Sequence, residues 1–238
     1  MTKVILITGA SSGLGKATAA YLMQHKFHVL GTCREPKKYS SNNGVKLLPF
    51  DLNQPNTAAL LVQKVLDKAG RIDVLINNAG ILLPTAADPV KERANLEAMM
   101  DMHLHSPLRL IDALAPTLQV SNQPMIVNMI SMAAFASVPG CEGYCTSKAA
   151  LHAATQGLRL KHPNIHSGGV YPGPTATDMT AGSTAPLADA MESAAAILSG
   201  LCERKTAIFP DKAALAVESV VGAGVATLEQ QFTTLLSD

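Results

Sequence analysis

Residues 3–24 read KVILITGASSGLGKATAAYLMQ, and this stretch decides the fold of the chain. It begins as a continuous apolar run with β-branched residues, breaks into a glycine-rich turn and then takes on a helical composition, which predicts a strand, a turn and a helix. Gly9, Gly13 and Gly15 let the backbone turn tightly and approach a pyrophosphate, whose charge can be met by amide groups at a helix N-terminus. The stretch indicates a dinucleotide-binding unit, although a turn also needs glycine for structural reasons alone.

The alternation of strand-like and helix-like segments continues along the chain. Helix-like stretches cover residues 54–69, 90–119 and 144–160. The further strand candidates are short and apolar almost throughout, and they lie at 27–33, 45–50, 72–77, 124–130, 165–172 and 206–209. Apolar strands separated by helices are typical of a parallel sheet covered on both faces. We therefore predict a doubly wound α/β fold in a single domain over residues 1–238. We also expect a flexible substrate loop around 173–205, richest in Pro, Gly, Thr and Ser up to residue 190.

The overall composition favours a small-molecule partner. The chain has 19 basic and 18 acidic residues and no basic run longer than Lys37-Lys38, so it lacks the charge pattern of a protein that binds nucleic acid or a membrane surface. The four cysteines form no Cys-x-x-Cys pair and lie in apolar segments, which indicates reduced thiols and a cytoplasmic location. The N-terminal apolar run is too short for a signal peptide or a spanning helix.

One segment raises the question of a metal site. Residues 101–106 read DMHLHS, with Asp101, His103 and His105 at alternate positions. Such positions share a face on a strand but point about 200° apart on a helix, and the surrounding Leu, Met and Ala favour a helix. We therefore predict no metal site; polar residues near a packed helix surface are the simpler interpretation.

Several ordered motifs resemble those of one family. They are T-G-x-x-x-G-x-G at residues 8–15, Asp51 after the third strand, N-N-A-G at 77–80, Ser131, Tyr144 and Lys148 at spacings of 13 and 4, and Pro172-Gly173 followed by Thr177. Together they resemble the short-chain dehydrogenase/reductase family over residues 8–177. The resemblance implies a three-layer Rossmann fold with a mostly parallel seven-stranded sheet of order 3-2-1-4-5-6-7.

The resemblance also implies a chemistry. Carbonyl reduction needs a proton donor beside the carbonyl oxygen while a hydride arrives from a nicotinamide. The family pattern gives Ser131 the polarisation of the substrate, Tyr144 acid/base catalysis, and Lys148 the activation of the tyrosine and contact with the nicotinamide ribose. Tyr144 and Lys148 lie four residues apart and so share a helix face, where we expect the ammonium group to lower the pKa of the phenol. Taken alone, Tyr-x-x-x-Lys is a common surface pair.

The family pattern implies a nicotinamide cofactor and its binding residues. These are Gly9, Ser11, Ser12, Gly13, Leu14, Gly15, Arg34, Asp51, Leu52, Asn78, Ala79, Gly80, Tyr144, Lys148, Pro172, Gly173, Thr175 and Thr177. Cys33 ends the second strand where an NAD-selective site usually has an acid, and Arg34 follows it. Because an arginine can hold a phosphate with two hydrogen bonds, we expect NADP(H) to be favoured over NAD(H), with Glu35 as the residue that argues against it.

The sequence leaves several alternatives open. In the family, an Asn stands where this chain has His103, and its main-chain carbonyl binds a water that links the catalytic Lys to solvent. Here a backbone carbonyl still holds that water, the His103 imidazole joins the relay, or the relay is weakened. The main hypothesis is an NADP(H)-dependent carbonyl reductase or alcohol dehydrogenase; the alternative is a catalytically weak dinucleotide-binding redox sensor or interaction subunit. The family often forms homodimers or homotetramers, and the resemblance implies the same here. Met179, Leu187 and the Ala-rich helix after them suggest either an apolar substrate lining or plain core packing.

Overall fold

A seven-stranded parallel sheet forms the centre of the computed structural model, which describes residues 2–39, 44–54 and 57–222. The strands are β1 (Val4–Ile7), β2 (His28–Cys33), β3 (Lys46–Pro49), β4 (Val74–Asn77), β5 (Met125–Met129), β6 (His166–Val170) and β7 (Ala207–Ile208). The helices are α1 (Gly13–Gln24), α2 (Ala58–Ala69), α3 (Pro89–Met100), α4 (Ser106–Leu118), α5 (Glu142–Lys161), α6 (Ala190–Cys202) and α7 (Lys212–Glu218). The strand order is β3-β2-β1-β4-β5-β6-β7, which confirms the predicted doubly wound fold.

The strands are apolar almost throughout because both faces of the sheet are covered. Successive side chains of β1 point to opposite faces, so Ile5 packs into one core and Leu6 into the other. Ile5 lies in the cluster that contains Leu22 of α1 and Leu198 of α6, whereas Leu6 lies with Leu110 of α4. Burial on both sides explains why the strands show no polar alternation.

The parallel pairing brings the carboxyl ends of all seven strands to one edge of the sheet. The central strand β1 pairs with β2 on one side and β4 on the other, with Ile7 opposite Gly31 and Ile76. In such a sheet, ligands bind where neighbouring crossovers diverge beyond the strand ends. The loops that carry the predicted site residues all begin at this edge.

Polar side chains buried in the core hold α5 against the sheet. Asn77 Nδ2 at the end of β4 donates to Asn128 Oδ1 on β5 at 2.8 Å. Asn128 Nδ2 in turn donates to Thr155 Oγ1 on α5 at 2.8 Å. Because Asn128 and Thr155 are fully buried, these bonds fix the position of α5 with directional contacts that apolar packing alone would not provide.

Two predicted elements differ from the structure. The helix predicted over 90–119 is α3 and α4 joined by a π-helical turn, Asp101–His105. The loop predicted around 173–205 is too long, because Asp189 accepts hydrogen bonds from the first amides of α6 and Ile197 of that helix lies in the core. Residues 223–238 of the predicted single domain lie outside the described part of the chain. Within the described part, none of the helices combines the length and apolarity needed to cross a bilayer.

Candidate active site

The glycine loop joins β1 to α1 and forms one wall of a cleft at the carboxyl edge of the sheet. Gly9 has a φ of +65°, and a Cβ there would lie 2.9 Å from Ala79 Cα, so only glycine fits this close approach. The N-cap residue Ser12 makes no side-chain capping bond, and the first turn of α1 contains no acidic residue. The amide groups at the start of α1 are thus suited to an anion such as a pyrophosphate.

Thr8 and Asn78 bind the glycine loop to the end of β4. Thr8 Oγ1 accepts hydrogen bonds from the amides of Asn78 and Ala79 at 3.0 and 3.1 Å. Asn78 Nδ2 donates to the carbonyl oxygens of Thr8 and Gly9 at 2.8 and 3.2 Å. Sequence reasoning did not select Thr8 as a site residue, although its place directly before the first glycine was a usable signal.

The ends of β2 and β3 form the far end of the cleft. Arg34 follows β2 directly and lines the cleft. Glu35, the residue that argued against an NADP site, pairs its carboxylate with Lys38 Nζ at 2.6 Å on the exposed side of the turn. Asp51 and Leu52, after the neighbouring strand β3, also line the cleft.

Ser131, Tyr144 and Lys148 converge in the middle of the same cleft. Ser131 lies just beyond β5, where its Oγ accepts from the Ala133 amide at 3.1 Å, and its side chain also hydrogen-bonds Tyr144. Tyr144 and Lys148 occupy the first two turns of α5. Lys148 Nζ donates to the Met129 carbonyl at 2.9 Å and lies 5.5 Å from the centre of the Tyr144 ring. A phenol, a hydroxyl and an amine therefore border one reaction volume.

Burial controls the protonation of Tyr144 and Lys148. It raises the pKa of Tyr144 to about 12, and the hydrogen bond from Ser131 acts in the opposite direction without overcoming it. Burial lowers the pKa of Lys148 to about 7. Desolvation dominates in this cleft, and a lysine with this pKa is only partly charged near neutrality, so the lowering of the tyrosine pKa that we expect from Lys148 does not outweigh burial here.

His103 makes a hydrogen bond with each ring nitrogen. The Ile81 amide donates to Nε2 at 3.0 Å, so Nε2 is unprotonated and the ring proton is assigned to Nδ1. Nδ1 donates to Ser147 Oγ at 2.8 Å, and this hydroxyl donates to the carbonyl oxygen of Tyr144 at 2.7 Å. Burial, followed by the charge on Lys148, lowers the His103 pKa well below 6.5. The imidazole is thus a neutral connector between the loop after β4 and α5.

The side chains of the DMHLHS segment have separate surroundings. His103 is buried, His105 is exposed, and Asp101 accepts a hydrogen bond from Arg109 at 3.1 Å. The segment is helical, as the composition around it predicted. In residues 2–39, 44–54 and 57–222 no group of three or more His, Cys, Asp and Glu side chains could hold a metal ion.

The loop after β6 forms a further wall of the cleft. Pro172, Gly173, Thr175 and Thr177 all line the cleft. The Gly173 amide donates to Asp211 Oδ2 at 2.8 Å, and Asp211 also accepts from the first turn of α7. Asp211 therefore anchors the start of this loop, a role that sequence reasoning missed because the two residues are 38 positions apart.

The structure brings every predicted site residue to one cleft of about 990 Å³. It extends from Arg34 past the glycine loop to Thr177 and the catalytic candidates. A dinucleotide fits this site for two reasons. The start of α1 offers amides without a competing acidic side chain, and from there the cleft extends both towards Arg34 and towards the catalytic candidates. The residues along the cleft are the ones that would hold the cofactor.

Comparisons with known proteins agree with this geometry. The sequence profile of the family described as short chain dehydrogenase matches residues 3–188. An uncharacterized oxidoreductase of Staphylococcus saprophyticus is 32% identical over 188 residues, covering 75% of this chain and 76% of that one. Serine 3-dehydrogenase of Agrobacterium fabrum is 30% identical and covers 76% of this chain and 75% of its own. A short chain dehydrogenase from Burkholderia cenocepacia, solved in complex with NADP, has 26% identity and a TM-score of 0.85, covering 100% of this chain and 98% of that one.

Proposed function

The chain belongs to the short-chain dehydrogenase/reductase family of oxidoreductases, and from this membership we propose that it transfers a hydride between NADP(H) and a carbonyl or secondary alcohol substrate. The observation that carries the proposal is the convergence of Ser131, Tyr144 and Lys148 in the cleft that also contains the glycine loop. A nicotinamide bound there supplies or accepts the hydride. The protein's own residues orient the substrate and move the proton.

Tyr144 is the proposed acid and base. With a pKa of about 12 the phenol is protonated near neutral pH, which is the form that can donate a proton to a carbonyl oxygen. Ser131 is proposed to donate a hydrogen bond to the same oxygen as negative charge develops. Lys148 is proposed to contact the nicotinamide ribose and to assist return of the proton, since its pKa of about 7 allows it to exchange protons with solvent.

Replacing Tyr144 by Phe tests this assignment. We expect turnover to fall by roughly 10²–10⁴-fold, the usual contribution of a general acid, with NADPH affinity retained. Tyr171→Phe is a matched control, because burial also raises the pKa of Tyr171 to about 12 but its hydroxyl contacts His152 and it does not line the cleft. Turnover that Tyr144→Phe leaves unchanged would refute the assignment. NADPH binding without turnover in the wild type would support the alternative, a redox sensor or interaction subunit.

The preference for NADP(H) rests on Arg34. It borders the cleft directly after β2, at the position from which the adenosine ribose is recognised in this type of fold, while Glu35 is paired with Lys38. We expect Arg34→Ala to weaken NADPH binding by roughly 10- to 100-fold, because charge-assisted hydrogen bonds to the phosphate are lost, and to change NADH binding little. Lys37→Ala is the control, since Lys37 is exposed and does not line the cleft. Dissociation constants measured from NADPH and NADH fluorescence test this preference. Tighter binding of NADH than of NADPH by the wild type would contradict the proposal.

Two further properties remain proposals. We propose a cytoplasmic location because Cys33, Cys141, Cys145 and Cys202 are all free thiols, which suits a reducing compartment. We also propose a homodimer or homotetramer, as the family membership suggests. Light scattering of the purified protein measures the assembly, and a monomer at micromolar concentration would contradict it.

A further inference from the structure

The cleft has an apolar part, formed by the segments that follow Ser131 and precede Tyr144 in the chain and by the loop after β6. We call it the outer cleft and define it by Met132, Val138, Cys141 and Met179, all of which line the cavity. Met132 follows Ser131 in the chain, Cys141 precedes the helix that carries Tyr144, and the Val138 amide donates to Cys145 Sγ beside that tyrosine. Met132 is almost fully buried in a cluster with Val217, so the carbon and sulfur contact surface comes mainly from Val138, Cys141 and Met179, beside Thr180 and Ser183, which also line the cleft.

Met179 belongs to this surface and not to the hydrophobic core. Its side chain is 45% exposed although it is large and apolar, whereas Ile197 and Leu198 of the following helix lie in the core. A hydrogen-bonded turn fixes its place, since Thr180 Oγ1 accepts from the Thr177 amide at 3.2 Å. Of the two interpretations of the region after residue 178, the structure assigns Met179 to the cleft and the later residues of α6 to packing.

Charged groups are distributed unevenly along the cleft. In the part of the chain that the structure describes, its basic lining residues are Arg34, His103 and Lys148. Arg34 lies at the adenosine end, His103 is a buried neutral ring, and Lys148 donates to the Met129 carbonyl. The charged residue beside Met179 is Asp178, which is acidic. A carboxylate or phosphate on the substrate would lose water here without gaining a cation.

We propose that the substrate is a neutral carbonyl compound whose apolar substituent packs against Val138, Cys141 and Met179, and that it carries no carboxylate or phosphate beside the reacting carbon. The inference rests on the proposed function. In the reaction, a bound NADPH would supply the hydride for the new C–H bond at the carbonyl carbon, and as the C=O π bond breaks the carbonyl oxygen would take the proton of Tyr144, which gives an alcohol and NADP⁺. Solvent then returns a proton to Tyr144.

A matched pair of ketones tests the substrate class. Acetophenone and 4-acetylbenzoate share one reacting carbonyl and differ by a carboxylate. We expect kcat/KM of the wild type for acetophenone to exceed that for 4-acetylbenzoate by at least about tenfold, because the outer cleft lacks a partner for the charge. Met179→Lys should narrow this ratio by about tenfold or more by supplying a cation. Met191→Lys is the control, because Met191 is also exposed but does not line the cleft, and it should leave the ratio unchanged.

A binding measurement separates this inference from the proposed function. Calorimetric titration of the Tyr144→Phe protein with NADP⁺ and each of the two product alcohols measures the same preference without turnover. The inference would be overturned if the wild type reduced 4-acetylbenzoate, or bound its alcohol, as well as it does the uncharged compound. It would also be overturned if the wild type preferred acetophenone with a para aminomethyl group to acetophenone itself, because Asp178 would then be a site for a cation. If neither ketone is reduced, the proposed function fails for this class, and the titration still decides between neutral and charged ligands.

Discussion

At the scale of single residues, Lys148 illustrates how the site and the stability of the protein are linked. Its side chain is buried on the first turns of α5, and its ammonium group has the Met129 carbonyl as a hydrogen-bond partner. Desolvation lowers its pKa from 10.5 to about 7. A base whose pKa is lower in the folded state binds fewer protons than in the unfolded state, so the folded state is penalised as the pH falls.

The stability of a Lys148→Met variant should therefore depend on pH in a defined way. Between pH 10.5 and about 7 the unfolded chain binds a proton that the folded chain does not, so the wild type loses stability as the pH falls through this window. The variant cannot titrate there and should gain stability relative to the wild type. Urea unfolding of both cofactor-free proteins at about pH 10 and at about pH 6 measures the difference between their free energies of unfolding. If the two proteins differed in stability by the same amount at both pH values, the lowered pKa of Lys148 would be contradicted.

His103 leads to a second pH prediction with an Asn variant. The His103 pKa is lowered well below 6.5, so below pH 6.5 the unfolded state gains a proton that the folded state excludes, and the wild type loses stability there. His103→Asn should not show that loss, so the stability difference between the two proteins should shift in favour of Asn on going from about pH 7.5 to about pH 5.

The same variant separates a connector from a proton relay. Because the ring is neutral and both nitrogens have partners, the pH profile of kcat/KM near neutrality should keep its shape in His103→Asn even if its height changes. A shifted profile would mean that the imidazole titrates during turnover. The sequence could place His103 at this position of the helix, but its partners Ile81 and Ser147 are set by packing between distant segments and were not predictable from spacing.

At the scale of elements, helix α5, which carries Tyr144 and Lys148, is held by buried hydrogen bonds as well as by apolar packing. Asn128 connects Asn77 at the end of β4 with Thr155 on α5. Truncation of Asn128 would leave Asn77 and Thr155 buried without the hydrogen bonds that Asn128 makes with them. The polar contacts therefore hold Tyr144 and Lys148 in register with the sheet.

Asn128→Ala should destabilise the protein by roughly 2–4 kcal/mol, since each buried group that loses its partner costs about 1–3 kcal/mol. Urea unfolding measures this free energy. Thr155→Val removes the other end of one bond, so the double variant should lose less stability than the sum of the two single variants. Strict additivity would contradict a shared bond. Gln63→Ala, which removes an exposed bond to Asp67, is a suitable control for a small effect.

Two glycine-to-alanine changes should have opposite effects on stability, because the two glycines lie in different backbone conformations. Gly9 has a positive φ and no room for a Cβ beside Ala79, so Gly9→Ala should destabilise the turn and weaken NADPH binding. Gly157 lies within α5 with open space around its Cα, so Gly157→Ala should stabilise the protein by roughly 0.5–1 kcal/mol. Thermal unfolding and NADPH titration of both variants check this. Equal effects of the two changes would contradict the assigned conformations.

The elements show where prediction from sequence succeeds and where it stops. Apolar runs bounded by turns located the strands because both faces of this sheet are buried, and the predicted residues of the glycine loop line one cleft together with Tyr144 and Lys148. The π-helical turn at Asp101–His105 was not predicted, since composition does not distinguish α from π turns, and the Ala-rich helix α6 was expected, although composition does not show which of its residues pack. The raised Tyr144 pKa was missed because burial is a property of the assembled cleft.

At the scale of the whole molecule, one cleft contains the start of α1, Arg34 and the group formed by Ser131, Tyr144 and Lys148. The order of these features along the carboxyl edge of the sheet follows from the strand order, because β2, β1, β4, β5 and β6 each supply a loop to it. The central claim is that this arrangement delivers a hydride from NADPH to a carbonyl carbon while Tyr144 delivers the proton.

Isotope transfer tests that claim most directly. The protein is incubated with acetophenone and other neutral ketones and with NADPH deuterated at C4, prepared as each of the two C4 epimers, and the alcohol products are analysed by mass spectrometry. We predict one deuterium on the carbinol carbon with one epimer, and loss of this product in Tyr144→Phe protein that still binds NADPH. Tight NADPH binding by the wild type, with no deuterated alcohol from any ketone, would contradict it.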